Sequence, residues 1–325
     1  MSSAAFDVLG IGNAIVDVIT HADDAFIAKQ ALVKGSMTLI DEARAETLYA
    51  AMGPGVEISG GSCGNTIAGV ASFGGKGCYV GKVRNDQLGA VFGHDLRATG
   101  VTFTTSQATE GPATARCLIL VTPDAQRTMN TYLGACTRLG PADIDIKQVA
   151  GAQVTYVEGY LWDPPEAKKA VLKAFDAAHA AGRKVSITLS DSFCVDRYRE
   201  EFRSLLRDKV DILFANESEI KSLYQVDSFE AALAAARAEN KICALTRSEK
   251  GSVVVKGSET HEVPAAPVSK VVDTTGAGDL YAAGFLFGFT HGKSLAECAR
   301  LGGIAAAEVI SHVGARPEKA LKGLI

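Results

Sequence analysis

The sequence predicts an α/β fold with a doubly wound, mainly parallel sheet flanked by helices, and with a second, small β-sheet. The main observation is a regular alternation of buried strands and helices from residue 141 onward, which is typical of repeated βα units. A second is a glycine-rich loop that opens a strongly apolar helix after residue 276. A third is a set of β-rich runs outside the alternation, at residues 13–20, 34–40, 114–121 and 127–133.

The composition indicates one large domain over residues 1–325. Hydrophobic residues make up 47% of the chain, enough for a sizeable core, and the formal net charge is -4 with both signs interspersed. No basic block is present, which argues against a nucleic-acid partner. The seven cysteines form no C-x-x-C pair, as expected of reduced thiols. With no secretory leader and no apolar run of transmembrane length, we expect a cytoplasmic protein without a membrane partner.

The first strand is predicted at residues 6–12 and ends in glycines. Ile15 occupies the position of the last glycine in a G-x-G-x-x-G pattern, so a dinucleotide-binding fingerprint is absent. Asn13 and Asp17 follow this strand, four residues apart. From the residues alone, they are equally consistent with chance polar positions on a solvated strand.

Two glycines, Gly60 and Gly61, precede an Ala-rich helix predicted at 66–73. The simplest interpretation of this pair is a tight turn. Further along the chain, residues 114–133 read as a β-hairpin. Together with the runs at 13–20 and 34–40, this hairpin would form the small sheet.

The C-terminal half contains the alternating units. Strands are predicted at 154–159, 185–189, 210–215 and 242–246, helices at 165–181, 196–206, 218–224 and 229–239, and a hairpin over 252–263. In such folds, ligands bind at the carboxyl ends of the parallel strands.

The loop from Asp273 to Asp279 is the strongest functional signal. Thr274 and Thr275 can cap a helix start, and Gly276, Ala277 and Gly278 let backbone N–H groups converge where the helix dipole favours an anion such as phosphate. Asp279 would repel that anion unless it accepts a proton from a hydroxyl that attacks the phosphate. The alternative is an ordinary first-turn acid favoured by the helix dipole.

The stretch Asp273–Asp279 resembles the C-terminal signature of the ribokinase-like (PfkB) carbohydrate and nucleoside kinases, and other motifs resemble the adenosine kinases most closely. The P-loop and protein-kinase signatures are absent. The resemblance implies a ribokinase-like domain with a β lid at about 13–40 and 101–135, and ATP and Mg²⁺ as cofactors. It implies Asp279 as the catalytic base over a phosphate cradle of Gly276, Ala277 and Gly278, with Arg127 reaching the phosphates from the lid.

The resemblance also implies roles for other residues. Sugar hydroxyls would be met by Asn13, Asp17, Gly60, Gly61 and Asn65, with the two glycines acting as a hinge. Magnesium and the nucleotide would involve Asn216, Glu219 (through water), Thr246, Gly251 and Thr275, although Ser248 stands where the family usually has a glycine. Asp273, with the loop 311–316, resembles a monovalent-cation site for K⁺. A nucleobase would be covered by Cys117, Met129, Leu161, Trp162 and Phe193, which could instead be lid and loop core.

We therefore predict an ATP-dependent kinase, monomeric or homodimeric, that phosphorylates the ribose 5′-hydroxyl of a nucleoside, with adenosine as the expected acceptor. The alternative within the same family is a sugar kinase. A non-catalytic nucleoside or sugar sensor is the alternative from another class, and Asp279 argues against it because binding alone needs no base.

Overall fold

A nine-stranded sheet forms the centre of the molecule in a computed structural model that describes residues 4–124 and 126–325. Residues 1–3 and Ala125, which falls in the turn of the predicted hairpin, lie outside the described residues. In chain order the strands are β1 Phe6–Ile11, β2 Ile15–His21, β3 Met37–Leu39, β4 Val56–Ser59, β5 Gly77–Val80, β6 Thr102–Phe103, β7 Ala115–Val121, β8 Arg127–Tyr132, β9 Ala152–Glu158, β10 Lys184–Thr188, β11 Ile212–Asn216, β12 Ile242–Thr246, β13 Ser252–Lys256 and β14 Glu259–Val263.

The main sheet has the order β14-β13-β12-β11-β10-β9-β1-β5-β6. The strands from β12 to β6 pair in parallel, and only the hairpin of β13 and β14 at one edge is antiparallel. The strand order changes direction around β1, as in doubly wound folds. The predicted fold class is confirmed.

The helices cover both faces of this sheet, except the first two, which pack against the second, smaller sheet. They are α1 Asp24–Lys29, α2 Glu42–Ala51, α3 Ser62–Ser72, α4 Gln87–Ala98, α5 Ile146–Ala150, α6 Pro165–Ala180, α7 Ser192–Asp208, α8 Glu217–Tyr224, α9 Phe229–Ala238, α10 Ala277–Thr290 and α11 Leu295–Val309. Helices α6 to α9 pack on one face around Phe175 and Phe202, and α3, α4, α10 and α11 on the other around Phe92 and Phe285. Burying each aromatic side chain stabilises the fold by about 1.5–3 kcal/mol.

The start of α3 differs from the prediction, which placed it at residue 66. The helix begins at Ser62, because burial of its first turn against α10 and β1 outweighs the poor helix propensity of Gly64 and Asn65. By contrast, the apolar helix after the glycine-rich loop is confirmed as α10, in which residues 280–288 are all buried.

The small sheet has the order β3-β8-β7-β2-β4. It includes β4, which the sequence analysis did not assign, because only four residues separate two glycine-containing turns. The short strand β6 falls in the region 101–135 but pairs in parallel with β5 of the main sheet. Among the described residues, no helix has the length and apolar character needed to cross a bilayer.

Candidate active site

A cavity of about 210 Å³ opens at the carboxyl ends of β10, β11 and β12, beside the start of α10. Its walls join residues that the sequence analysis assigned to separate motifs. They include Asn216, Glu219, Thr246, Gly276, Ala277, Gly278 and Asp279, and Thr188 at the end of β10 also lines the cavity. The position of the cavity agrees with the rule that doubly wound sheets bind ligands at this edge.

The loop before α10 forms an open N–H nest. Gly276 is the N-cap of α10 with φ 79°, and a Cβ there would lie 2.8 Å from the Cβ of Ala315, so the position requires glycine. The backbone N–H groups of Gly278 and Asp279 bond to no other group in the part of the chain that the structure describes. These donors and the helix dipole favour an anion at this point.

The predicted caps of α10 are wrong. Gly276 occupies the N-cap without a side-chain hydrogen bond, and Thr275 instead donates its N–H and hydroxyl to Asp273 Oδ1, at 3.0 and 2.7 Å. The first turn of α10 therefore stays free of protein caps, which leaves it available to a ligand.

Asp279 is held by two side chains from the first turn of α3. Ser62 Oγ donates to Oδ1 at 2.7 Å, and Asn65 Nδ2 donates to Oδ2 at 2.9 Å. Burial raises the pKa of Asp279, while these hydrogen bonds and Arg316 oppose the increase. The result is an oriented carboxylate with raised basicity, as general-base catalysis requires. Ser62 was missed by the sequence analysis, although it follows Gly61 directly.

Asp17 on β2 faces the same region. Burial raises the pKa of its carboxyl to about 7, against the opposing charges of Arg316 and Arg127. A Cβ on Gly60 would lie 2.4 Å from Asp17 Oδ2, and one on Gly61, which has φ 83°, would lie 2.3 Å from the carbonyl oxygen of Asn13. The two glycines thus let the backbone before α3 lie close to Asp17 and Asn13. A tight turn alone would not require glycine for this reason.

Arg127 and Asp273 form a buried ion pair. Arg127 Nη1 lies 2.9 Å from Asp273 Oδ2 and 3.1 Å from Thr275 Oγ1, and Gly314 N also donates to Asp273 Oδ2 at 2.8 Å. Protein donors engage both oxygens of Asp273, and the monovalent cation expected at this residue stays a prediction. Arg127 Nη2 is buried without a partner among the described residues, so it can donate to a phosphate oxygen near the nest.

Asn216 and Glu219 form a capping box at the start of α8. Asn216 N and Nδ2 donate to Glu219 Oε2 and Oε1 at 3.0 and 2.6 Å, and Glu219 N donates to Asn216 Oδ1 at 2.9 Å. Burial raises the pKa of Glu219 to about 7. The pair caps the helix, and it also lines the cavity together with Asp279. Within the described residues, no group of three or more His, Cys, Asp or Glu side chains could hold a metal directly.

The loop after β12 keeps the backbone path of a glycine-containing loop. Ser248 has φ 52°, the left-handed conformation that glycine favours, at the cost of about 1–2 kcal/mol. Thr246 lines the cavity. Gly251 has φ 83°, and a Cβ there would lie 2.1 Å from the carbonyl oxygen of Val263.

The sequence profile described as "pfkB family carbohydrate kinase" matches residues 36–320. The chain belongs to this family. It is 55% identical to a Rhizobium etli protein described as a "probable sugar kinase", with 99% of this chain and 98% of that one covered and a TM-score of 0.93. It is 56% identical to adenosine kinase from Sinorhizobium meliloti, with the same coverage and a TM-score of 0.92. Adenosine kinase from Schistosoma mansoni, solved with adenosine and AMP, is 25% identical over 98% of this chain and 99% of that one, with a TM-score of 0.83.

Membership of the pfkB family makes the chain a carbohydrate or nucleoside kinase. The predicted base-covering residues fall into three groups. Cys117 and Met129 pack in an apolar cluster on the small sheet. Phe193, at the start of α7, is 76% exposed and free to contact a ligand. The structure does not bring Leu161 and Trp162 to the cavity.

Leu161 and Trp162 belong to the core instead. They are 0% and 2% exposed, within the cluster under α6 and α7. Trp162 packs against Phe202 and donates Nε1–H to Glu201 Oε2 at 2.8 Å. The assignment of these two residues to a base pocket is corrected, because the short helical turn after β9 directs both side chains inward.

Two charged residues near the predicted substrate residues of this pfkB kinase had no substrate role in the sequence analysis, which placed Arg316 only in the predicted cation loop and left Glu158 unassigned. Arg316 donates Nε and Nη2 to the carbonyl oxygen and Oγ of Ser59, each at 3.2 Å, and burial lowers its pKa to about 10. Glu158, at the end of β9, is 1% exposed, and burial raises its pKa to about 7. Their partners lie far away in the chain, so no local pattern identifies them.

Three buried polar atoms around Asp279 and Asp17 have no partner among the described residues. They are Asn65 Oδ1, Arg127 Nη2 and Arg316 Nη1. Leaving such groups unpaired costs about 1–3 kcal/mol each. A ligand that carries both hydroxyl donors and anionic oxygens would satisfy them, and such a ligand fits a phosphoryl-transfer reaction on an alcohol.

Proposed function

We propose that this pfkB-family kinase transfers the γ-phosphoryl group of ATP to the ribose 5′-hydroxyl of adenosine. The observation that carries the proposal is the position of Asp279. Its carboxylate lies in the first turn of α10, next to the open N–H nest and within hydrogen-bond distance of two α3 side chains. A buried carboxylate beside an anion site opposes ligand binding unless it accepts the proton of the attacking hydroxyl.

The chemical step uses these groups directly. The 5′-hydroxyl gives its proton to Asp279, its oxygen forms a bond to the γ-phosphorus, and the bond from that phosphorus to the β–γ bridging oxygen breaks to release ADP. The N–H groups of Gly278 and Asp279 and the free Nη2 of Arg127 would stabilise charge on the transferred group. Because the pKa of Asp279 is raised, its ionised carboxylate is a stronger base and therefore a better acceptor for the hydroxyl proton.

Mg²⁺ fits the same cavity through Glu219. Each oxygen of this carboxylate accepts one hydrogen bond from Asn216, which leaves lone pairs for a metal-bound water on the cavity side. Magnesium keeps several waters and needs few protein ligands, so one buried acid is sufficient. When bound, the ion neutralises phosphate charge.

Support for a nucleoside acceptor comes from the apolar side of the small sheet. Cys117 and Met129 pack with Ile15 and Ile19, and the exposed ring of Phe193 is available to stack on a flat base. Stacking of this kind contributes about 1–3 kcal/mol per base. The 56% identity to the Sinorhizobium meliloti adenosine kinase agrees with this choice.

A sugar is the second candidate acceptor. The burial of Leu161 and Trp162 removes two of the five side chains expected to cover a base. The Rhizobium etli relative at 55% identity is described as a "probable sugar kinase". Asp17 and Asn65, together with the glycine pair, would bind a free sugar as well as the ribose of a nucleoside.

The test is a turnover screen of the purified protein. Formation of ADP is measured with ATP and Mg²⁺ and with adenosine, guanosine, inosine, ribose or fructose as the acceptor, and the phosphorylated product is identified by mass spectrometry. We expect adenosine to give the highest kcat/KM and AMP to be the product. A higher kcat/KM with ribose or fructose would establish the sugar kinase, and adenosine binding without turnover would indicate a sensor.

A further inference from the structure

Glu158 lies where three parts of the substrate region meet. Its carboxylate accepts hydrogen bonds from Asn13 N at 3.0 Å, Asn13 Nδ2 at 2.6 Å and Cys63 N at 2.8 Å. A Cβ on Gly12 would lie 2.5 Å from Glu158 Oε2, so the chain after β1 packs directly against the carboxylate. No step of the proposed reaction uses this buried acid.

The carboxylate fixes which end of the Asn13 amide is free. In its ionised form the carboxylate only accepts hydrogen bonds, and in the structure Asn13 turns Nδ2 towards Glu158 Oε1. The opposite atom, Oδ1, accepts no hydrogen bond from the described residues. Asn13 can then offer a ligand the acceptor Oδ1, which suits a substrate hydroxyl.

The same carboxylate supports the start of α3. The N-cap of α3 is Gly61, which has no side chain to cap the helix, and Glu158 Oε2 accepts from the second residue, Cys63. A negative charge at a helix N-terminus is favourable. The first turn of α3 also carries Ser62 and Asn65, the two side chains that hold Asp279.

We propose that Glu158 is a positioning residue for the acceptor substrate, which orients the Asn13 amide so that Oδ1 accepts a hydrogen bond from an acceptor hydroxyl. This inference rests on the proposed function only in requiring an acceptor that carries hydroxyl groups, whether nucleoside or sugar. Glu158 acts through Asn13 and does not touch the reacting atoms.

The test begins with Glu158→Gln, which preserves shape and adds a donor. Because Asn13 N and Cys63 N both donate to the carboxylate, the new N–H group faces one of these backbone donors in either orientation, which weakens the hold on the Asn13 amide. When the new N–H group faces Asn13, the Asn13 amide can reverse and accept from it, presenting a donor where the substrate needs an acceptor. We expect the KM for the acceptor to rise about 10-fold or more, as for a buried donor that is left without a partner. The KM for ATP should change less than about twofold and kcat less than about threefold, which separates this role from a general structural one.

The variant Asn13→Ala and the double variant that combines it with Glu158→Gln complete a double-mutant cycle. If Glu158 acts through Asn13, the double variant should have the same acceptor KM as Asn13→Ala alone, within about twofold. If the two single substitutions raised the acceptor KM by factors that multiply in the double variant, the proposal would be overturned. So would an unchanged acceptor KM in Glu158→Gln, or a fall in kcat without a change in acceptor KM, which would assign Glu158 only to supporting α3 and Asp279.

Two further measurements keep the outcome decisive. If Glu158→Gln does not fold, as judged by thermal unfolding, Glu158→Asp replaces it, because the shorter side chain keeps the negative charge but withdraws the carboxylate from Asn13 Nδ2. The same rise in acceptor KM is expected, and an unchanged KM would reject the proposal. If the wild type uses ribose or fructose and not adenosine, the proposed function fails, and the Glu158 cycle is measured with that sugar.

Discussion

Replacing Ser62 by alanine should change the pH dependence of the kinase reaction more than its maximal rate. The Ser62 hydroxyl donates to Asp279 Oδ1 at 2.7 Å, and this bond stabilises the ionised form of a carboxyl whose pKa burial raises. Removing the donor therefore raises the pKa of Asp279 further. Because the base must be ionised to accept a proton, the acid limb of the kcat/KM profile should move to higher pH.

The size of the effect follows from the hydrogen bond that is lost. A hydrogen bond to a charged group contributes about 1.5–3 kcal/mol, which corresponds to about 10- to 150-fold in an equilibrium constant. Water can partly replace the hydroxyl at this half-buried position, so we expect the lower end. On the acid limb, kcat/KM of Ser62→Ala should fall about 10-fold relative to the wild type, and at alkaline pH the two should agree within about threefold.

The assay is steady-state ADP formation across the pH range, with Thr66→Val as the matched control. Thr66 lies on the same helix and its hydroxyl contacts the carbonyl oxygen of Ser62 and the hydroxyl of Tyr156, without touching Asp279. The control should keep the wild-type acid limb. Coincident profiles for Ser62→Ala and wild type would refute Asp279 as the titrating base, and an equal loss at every pH would assign Ser62 to folding alone.

Three further variants test the other parts of the site. Glu219→Ala should raise the Mg²⁺ concentration needed for half-maximal rate more than it raises the acceptor KM, and an unchanged Mg²⁺ midpoint at fixed ATP would leave Glu219 as a helix cap. Phe193→Ala should weaken adenosine binding by about 5- to 150-fold in calorimetry while leaving ribose binding unchanged, since stacking contributes about 1–3 kcal/mol. Equal losses of affinity for both ligands would contradict base stacking. Gly60→Ala should raise the acceptor KM by about 5- to 150-fold at unchanged ATP KM, because a Cβ would lie 2.4 Å from Asp17 Oδ2 and overpacking costs about 1–3 kcal/mol. Wild-type kinetics in this variant would show that Asp17 does not contact the acceptor.

Local patterns were sufficient to predict the central elements. The two glycines at 276 and 278, followed by an apolar run, identified the loop and the buried helix α10, since both depend on residues close in sequence. The βα alternation identified the parallel sheet for the same reason. The start of α3 was placed too late, because tertiary burial overrides the helix propensity of its first turn.

Long-range partners were beyond a reading of the sequence. Glu158 lies 145 residues from Asn13, and Arg316 lies 257 residues from Ser59, so neither pair has a local signature. The predicted side-chain direction of Trp162 was wrong for a related reason. A residue after a strand end can face the ligand or the core, and contacts with Phe202 and Glu201, both distant in sequence, decide between these.

The most direct test of the central claim is the rate of Asp279→Asn with ATP and adenosine. This variant should fold, because the unpaired Oδ1 of Asn65 allows the Asn65 amide to reverse and accept from the new amide group. We expect unchanged ATP binding in calorimetry and a fall in kcat of about 10² to 10⁴, the usual cost of losing a general base. A kcat near that of the wild type would contradict the assignment of Asp279 as the base and, with it, the mechanism proposed for this chain.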